Sequence, residues 1–167
     1  SAITGYTVEQ STGAGGTWAD STCDTALTSA SRSCVATSLT NGQAYYFRVK
    51  ATNAVGSIFS AVSDPVTTLP GAPTMASAVA GDQLVTLSWS PPTANGGSAI
   101  TGYMVEQSTD AGGTWAPSTC DTALTSASRS CVASGLTSGL TYHFRVKATN
   151  AVGFGEPSTP TVSATPA

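Results

Sequence analysis

Residues 136–153 read LTSGLTYHFRVKATNAVG. Tyr142, Phe144, Val146 and Ala148 alternate with His143, Arg145, Lys147 and Thr149, so an apolar side chain returns at every second position. That is the period of a strand with one face against a core; a helix would bring apolar residues back every three or four. Gly135, Gly139 and Gly153 bound the run with turn signals. The stretch occurs a second time as LTNGQAYYFRVKATNAVG at residues 39–56, 97 positions upstream. A repeat of this kind frames every other assignment.

Outward from that strand the repeat extends much further. SAITGY at residues 1–6 recurs at 98–103, and of the 56 pairs from Ser1/Ser98 to Gly56/Gly153 nine differ, leaving 47 identical. Two of the differences, Thr7/Met104 and Tyr46/His143, fall on the parity opposite the apolar face, and others fall at turns. Beyond Gly56 the copies diverge, and a one-residue slip aligns Val66 with Val162. The second copy spans residues 71–167; the first, residues 1–70, has no counterpart of the 27 residues 71–97. In the complete copy Val85, Leu87 and Trp89 share one face, as do Tyr103 and Val105 in the next run, with Val162 in the last segment. Short alternating strands separated by Gly- and Pro-rich turns within about 100 residues predict an antiparallel β-sandwich. No segment has the pattern of an amphipathic helix.

These residues resemble the fibronectin type III family over essentially the whole chain. Trp89 followed by Pro91 and Pro92 resembles the family's strand B and its following turn, and ITGYMV at 100–105 resembles strand C. Leu136, Gly139 and Tyr142, then Phe144, Arg145, Val146, Ala148, Asn150 and Gly153, resemble the corner leading into strand F; Leu39, Gly42, Tyr45, Phe47, Arg48, Val49, Ala51, Asn53 and Gly56 repeat it. The resemblance implies an all-β fold of tandem immunoglobulin-like sandwiches, with a Tyr whose ring lies in the core and whose hydroxyl bonds back to preceding backbone. The Ser/Thr-rich style, the GGTW turns and the extra cysteine pair are similar to repeats of secreted bacterial proteins. The departure is in the first copy, a partial repeat of strands C to G without A and B. Its inner residues Tyr6, Val8, Phe47 and Val49 are then short of cover. Three explanations fit: a window on a longer array, strands donated by a neighbouring chain, or partial disorder of the first copy.

Composition narrows the function. Charged residues make up 9% of the chain, six Lys and Arg against nine Asp and Glu for a net charge of -3, so no basic field attracts nucleic acid or anionic lipid. A hydrophobic content of 40% argues for a folded chain. No apolar run reaches the length of a membrane span.

Four cysteines allow three pairings, and the repeat favours Cys23 with Cys34 and Cys120 with Cys131, one bond per independently folding copy. Closing a loop of about 12 residues adds roughly 3 kcal/mol in the chain-entropy picture, and such bonds persist outside the reducing cytosol. The x10 spacing with a single His is poor for zinc, and Asp20, which with Asp24 suggests a calcium pair, is Pro117 in the second copy. No metal or cofactor is expected. Catalysis is not expected either: His143 is Tyr46 in the first copy, the abundant Ser hydroxyls lack a base, and Glu9 and Glu106 face Arg48 and Arg145 as cross-strand ion pairs. Trp18 and Trp115, beside Gly-Gly turns, are the candidate ligand contacts, suited to stacking on a sugar ring, although packing along the sandwich rim beside the disulfide is the stronger reading. Two functions fit: an extracellular structural or adhesive array forming a stalk or surface filament, whose partners are other copies of the repeat or neighbouring chains, or an accessory spacer of a secreted polysaccharide-degrading enzyme, with carbohydrate as partner.

Overall fold

The computed structural model describes residues 1–167 and contains eleven strands and no helix. The second repeat is a two-sheet sandwich. One sheet has the order β5-β6-β9, from β5 (Thr74–Gly81), β6 (Leu84–Ser90) and β9 (Ser130–Ser134); the other has the order β11-β10-β7-β8, from β7 (Gly102–Ser108), β8 (Ala116–Pro117), β10 (Tyr142–Thr149) and β11 (Val162–Ala164). Every pairing is antiparallel. The alternation in β10 does what its period predicts: Tyr142, Phe144, Val146 and Ala148 are buried while the residues between them are half-exposed. Val85, Leu87 and Trp89 come down on them from the opposite sheet, with Tyr103, Val105, Ala133 and Leu136 in the same core. Trp89 and Tyr103 meet at 5.5 Å between ring centroids, across the sandwich.

The first repeat builds only the second of these sheets. Its strands β1 (Ile3–Ser11), β2 (Ala19–Asp20), β3 (Tyr46–Asn53) and β4 (Ser57–Phe59) are ordered β2-β1-β3-β4. The β1/β3 register of Val8 opposite Val49 and Glu9 opposite Arg48 matches that of Val105 opposite Val146 and Glu106 opposite Arg145. Two elements differ from expectation. Residues 33–37, the counterparts of β9, form no strand, because the neighbour that β9 pairs with, β6, has no equivalent here. The last strand of the sheet is also replaced: β4 follows β3 as a tight hairpin, and Val66 makes only an isolated bridge to Tyr45.

Both Tyr corners form. The Tyr142 hydroxyl accepts the Thr137 N–H at 3.1 Å and the Tyr45 hydroxyl accepts the Thr40 N–H at 3.0 Å. Each supplies a buried phenol with the partner it needs.

Candidate functional site

Three places are candidate sites: the outer face of the four-stranded sheets, the junction between the repeats, and the inner face of the first repeat.

On the outer faces the expected ion pairs are present. Glu106 accepts from Arg145 at 2.5 Å and from Lys147 at 3.1 Å, and Glu9 pairs with Arg48 at 2.5 Å. Burial pushes the Glu106 carboxyl up, but its bonds to Arg145 and Lys147 outweigh this and hold it below the usual range. Arg145 in turn lies over the Trp115 ring at 4.2 Å from the centroid, and Arg48 over Trp18 at 4.4 Å. Each candidate indole therefore carries a guanidinium on one face, a cation–π contact that takes the place of a stacked ligand there. Trp115 also donates Nε1–H to the Gly112 carbonyl at 3.1 Å. His143 sits half-buried on the same outer face, opposite Ser108.

The cysteines are joined as Cys23–Cys34 and Cys120–Cys131. The aspartates that follow Cys23 and Cys120 bind backbone. Asp24 accepts the Val8 N–H and Asp121 the Val105 N–H, both at 2.9 Å. Burial raises the Asp121 carboxyl; the Val105 bond opposes the rise and nearby Glu106 adds to it. Asp110, at the turn before Trp115, accepts from the Ser108 hydroxyl at 2.6 Å and from the Thr114 N–H at 2.9 Å, which hold it well below the carboxylate range. The first repeat has Gly13 at that position. No group of three or more His, Cys, Asp or Glu side chains is arranged to hold a metal ion, and no helix is long and apolar enough to cross a membrane.

The junction is bonded on both sides. Asn150, at the end of β10 and buried, donates through Nδ2 to the Thr68 carbonyl at 2.8 Å and to the Asn95 carbonyl at 2.9 Å. Thr68 N–H donates to the Gly96 carbonyl at 2.9 Å, Gly71 N–H to Ala94, and Gly42 N–H to Leu69 at 2.7 Å. Gly96 has φ +73°, and a Cβ there would collide with the Thr68 and Leu69 carbonyls, so glycine is required where the two chain segments cross. Pro70 is fully buried in this joint. The sequence marked Asn150 as part of a family pattern but not as the residue that ties the connection down; its recurrence as Asn53 in the same strand-end position was the available signal.

The inner face of the first repeat is open. A cavity of about 680 Å³ lies over it, lined by Tyr6, Val8, Leu27, Leu39, Phe47 and Val49 among others. Val49 is 39% exposed where its counterpart Val146 is 0% exposed.

A family model described as the fibronectin type III domain matches residues 70–164. The chain belongs to the fibronectin type III family. It is similar to human Myomesin-2, 37% identical over 134 residues that cover 73% of this chain and 9% of that protein. It is also similar to mouse Protein sidekick-1, 35% identical over 128 residues, 75% of this chain and 6% of that protein. The chain thus spans less than a tenth of the length of either relative. Among solved structures, domains A168–A170 of titin match with a TM-score of 0.51 at 25% identity, covering 77% of this chain and 43% of that one. The twitchin kinase region of C. elegans matches at 0.51 and 34% identity, covering 58% and 16%. These relatives are animal proteins, so the likeness to secreted bacterial repeats is not carried by them. The fibronectin type III pattern accounts for the Trp89–Tyr103 core, the Tyr corners and the order of strands.

Proposed function

We propose that this chain is a non-catalytic structural or adhesive segment of an extracellular protein, in which fibronectin type III repeats act as folded beads of a stalk or surface filament and associate with further repeats. The observation that carries this reading is the bonded junction. A connection held by Asn150, Gly96 and the buried Pro70 fixes one repeat against the next, and a fixed joint is what an extended array needs to transmit geometry and load. The intramolecular disulfides support an oxidising, extracellular setting. The guanidinium over each indole weighs against carbohydrate contact at Trp18 and Trp115, and so against the enzyme-accessory role.

Two measurements test it. Backbone ¹⁵N relaxation is expected to give one rotational correlation time for both repeats, and two independent times would remove the argument from the joint. Antibodies against the chain are expected to label intact, unpermeabilised source cells or the material around them; labelling only after permeabilisation would overturn the extracellular assignment.

A further inference from the structure

We propose that Asn95 is a deamidation site gated by the joint between the repeats, and that conversion there prevents the joint from closing again. The inference rests on the bonds of the joint and not on the array role assigned to it. The chain has four asparagines, and two of them, Asn41 and Asn95, precede glycine. A glycine has no Cβ to shield its nitrogen, so in an Asn–Gly pair that nitrogen most readily reaches the asparagine side chain. At position 96 glycine is required, because a Cβ would meet the Thr68 and Leu69 carbonyls. The geometry of the joint therefore places a labile pair at its own crossing point.

The Gly96 nitrogen attacks Cγ of Asn95, and the side-chain amide leaves as ammonia with the proton of the attacking N–H, closing a succinimide ring. Water then opens the ring at either carbonyl, giving aspartate or isoaspartate. In the closed joint both reactants are engaged elsewhere. Gly96 N–H donates to the Gly42 carbonyl of the first repeat at 3.1 Å, and Asn95 Oδ1 accepts the Gly97 N–H at 3.0 Å. Gly96 is buried, while Asn95 is exposed to the water that completes the reaction. Asn41 is held in another way. Gly42 N–H donates to the Leu69 carbonyl at 2.7 Å, a bond the second repeat reproduces from Gly139 to Pro166 at 2.9 Å, so it belongs to a single repeat. Opening the joint frees Asn95 and leaves Asn41 locked.

The isoaspartate product reroutes the main chain through the side chain of residue 95 and adds a carbon before Gly96. The Asn95 carbonyl, which accepts from Asn150 Nδ2, becomes a free carboxylate. The Gly96 N–H and carbonyl then fall out of step with Gly42 and Thr68. Prolonged opening thus turns a fixed joint into a loose one, irreversibly.

The test is incubation of the intact chain at mildly alkaline pH, with isoaspartate at each site quantified by peptide mapping and mass spectrometry. Asn150→Ala is expected to speed conversion at Asn95 by at least about fivefold and to leave Asn41 unchanged, since local opening sets the rate. Ala44→Leu probes the lock from the first repeat. The Ala44 Cβ lies 2.8 Å from where a Cβ on Gly97 would stand, and its counterpart Thr141 is already larger, so a leucine wedges the joint without touching the second core. The same selective acceleration is expected, with unchanged amide signals of β6, β7 and β10 reporting that the variant is folded. Chain converted to isoaspartate at Asn95 is expected to show separate reorientation of the two repeats by ¹⁵N relaxation. Three results overturn the proposal: either folded variant leaving the Asn95 rate unchanged, equal acceleration at Asn41, or a converted chain that still tumbles as one body.

Discussion

The two repeats are one sequence in two environments. Phe47 and Phe144, Val49 and Val146, Leu39 and Leu136 are identical residues in matching registers. In the second repeat Phe144 and Val146 are fully buried and Leu136 nearly so, whereas Phe47 and Leu39 are only partly covered and Val49 is exposed. The contrast separates what a strand pair does from what a sandwich does. Pairing of β1 with β3 reproduces that of β7 with β10, because ladder bonds and the Glu–Arg pairs are local to one sheet. Burial is not reproduced, because it requires a second sheet. Even strand formation at residues 33–37 fails where β6 has no counterpart, which shows how far β structure depends on a neighbour rather than on propensity.

The largest effect that would sharpen this contrast is truncation in the core. Phe144→Ala is expected to destabilise the second repeat by roughly 3–5 kcal/mol, through lost transfer energy and a cavity. Phe47→Ala is expected to cost less than half as much, because the ring already borders open space. Denaturant unfolding with probes in each repeat measures both; equal losses would break the comparison.

Next in size is the disulfide. Replacing Cys120 and Cys131 with Ser is expected to lower stability by about 3 kcal/mol on the chain-entropy scale, with a similar value for Cys23 and Cys34, since the two loops have equal length. Non-reducing peptide mapping checks the pairing first, and a bond between copies would contradict it.

A smaller asymmetry is expected at the strand-end asparagines. Asn150→Ala removes two bonds to the Thr68 and Asn95 carbonyls and is expected to cost about 1–3 kcal/mol while loosening the joint. Asn53→Ala, whose Nδ2 reaches only the Ser1 carbonyl at 3.4 Å, is expected to change stability by less than about 1 kcal/mol. Relaxation data on Asn150→Ala should show the repeats beginning to reorient separately.

The smallest effect concerns pH. Glu106 is depressed in the folded state, so its contribution is present above the unfolded carboxylate value and lost as pH falls through the lower folded one. Asp121, raised by burial, acts in the opposite sense and favours the folded state on protonation. Glu106→Gln is expected to flatten the loss of stability below about pH 4 and to cost up to about 1 kcal/mol at neutrality, as a partly exposed pair should. Thermal melts from neutral to acid pH measure it; an unchanged acid slope would show that the pair does not contribute.

Much of the molecule was legible in the order of its residues. Period-two alternation in residues 142–149, the turns around it and its recurrence 97 positions away specify strands, their faces and the doubling of the unit, since these depend on interactions within a few residues or on direct identity. The Glu–Arg pairs followed from parity in the same way. The grip of Asn150 on the connection, the guanidiniums over Trp18 and Trp115, and the loss of a strand at residues 33–37 were decided by the tertiary structure alone. Asn150 and Thr68 are 82 residues apart in the chain, and a residue's own sequence context cannot say which distant backbone it will meet. Nor can it say whether a face will be covered: the same Phe is core in one repeat and cavity wall in the other, because burial depends on what the rest of the chain places over it.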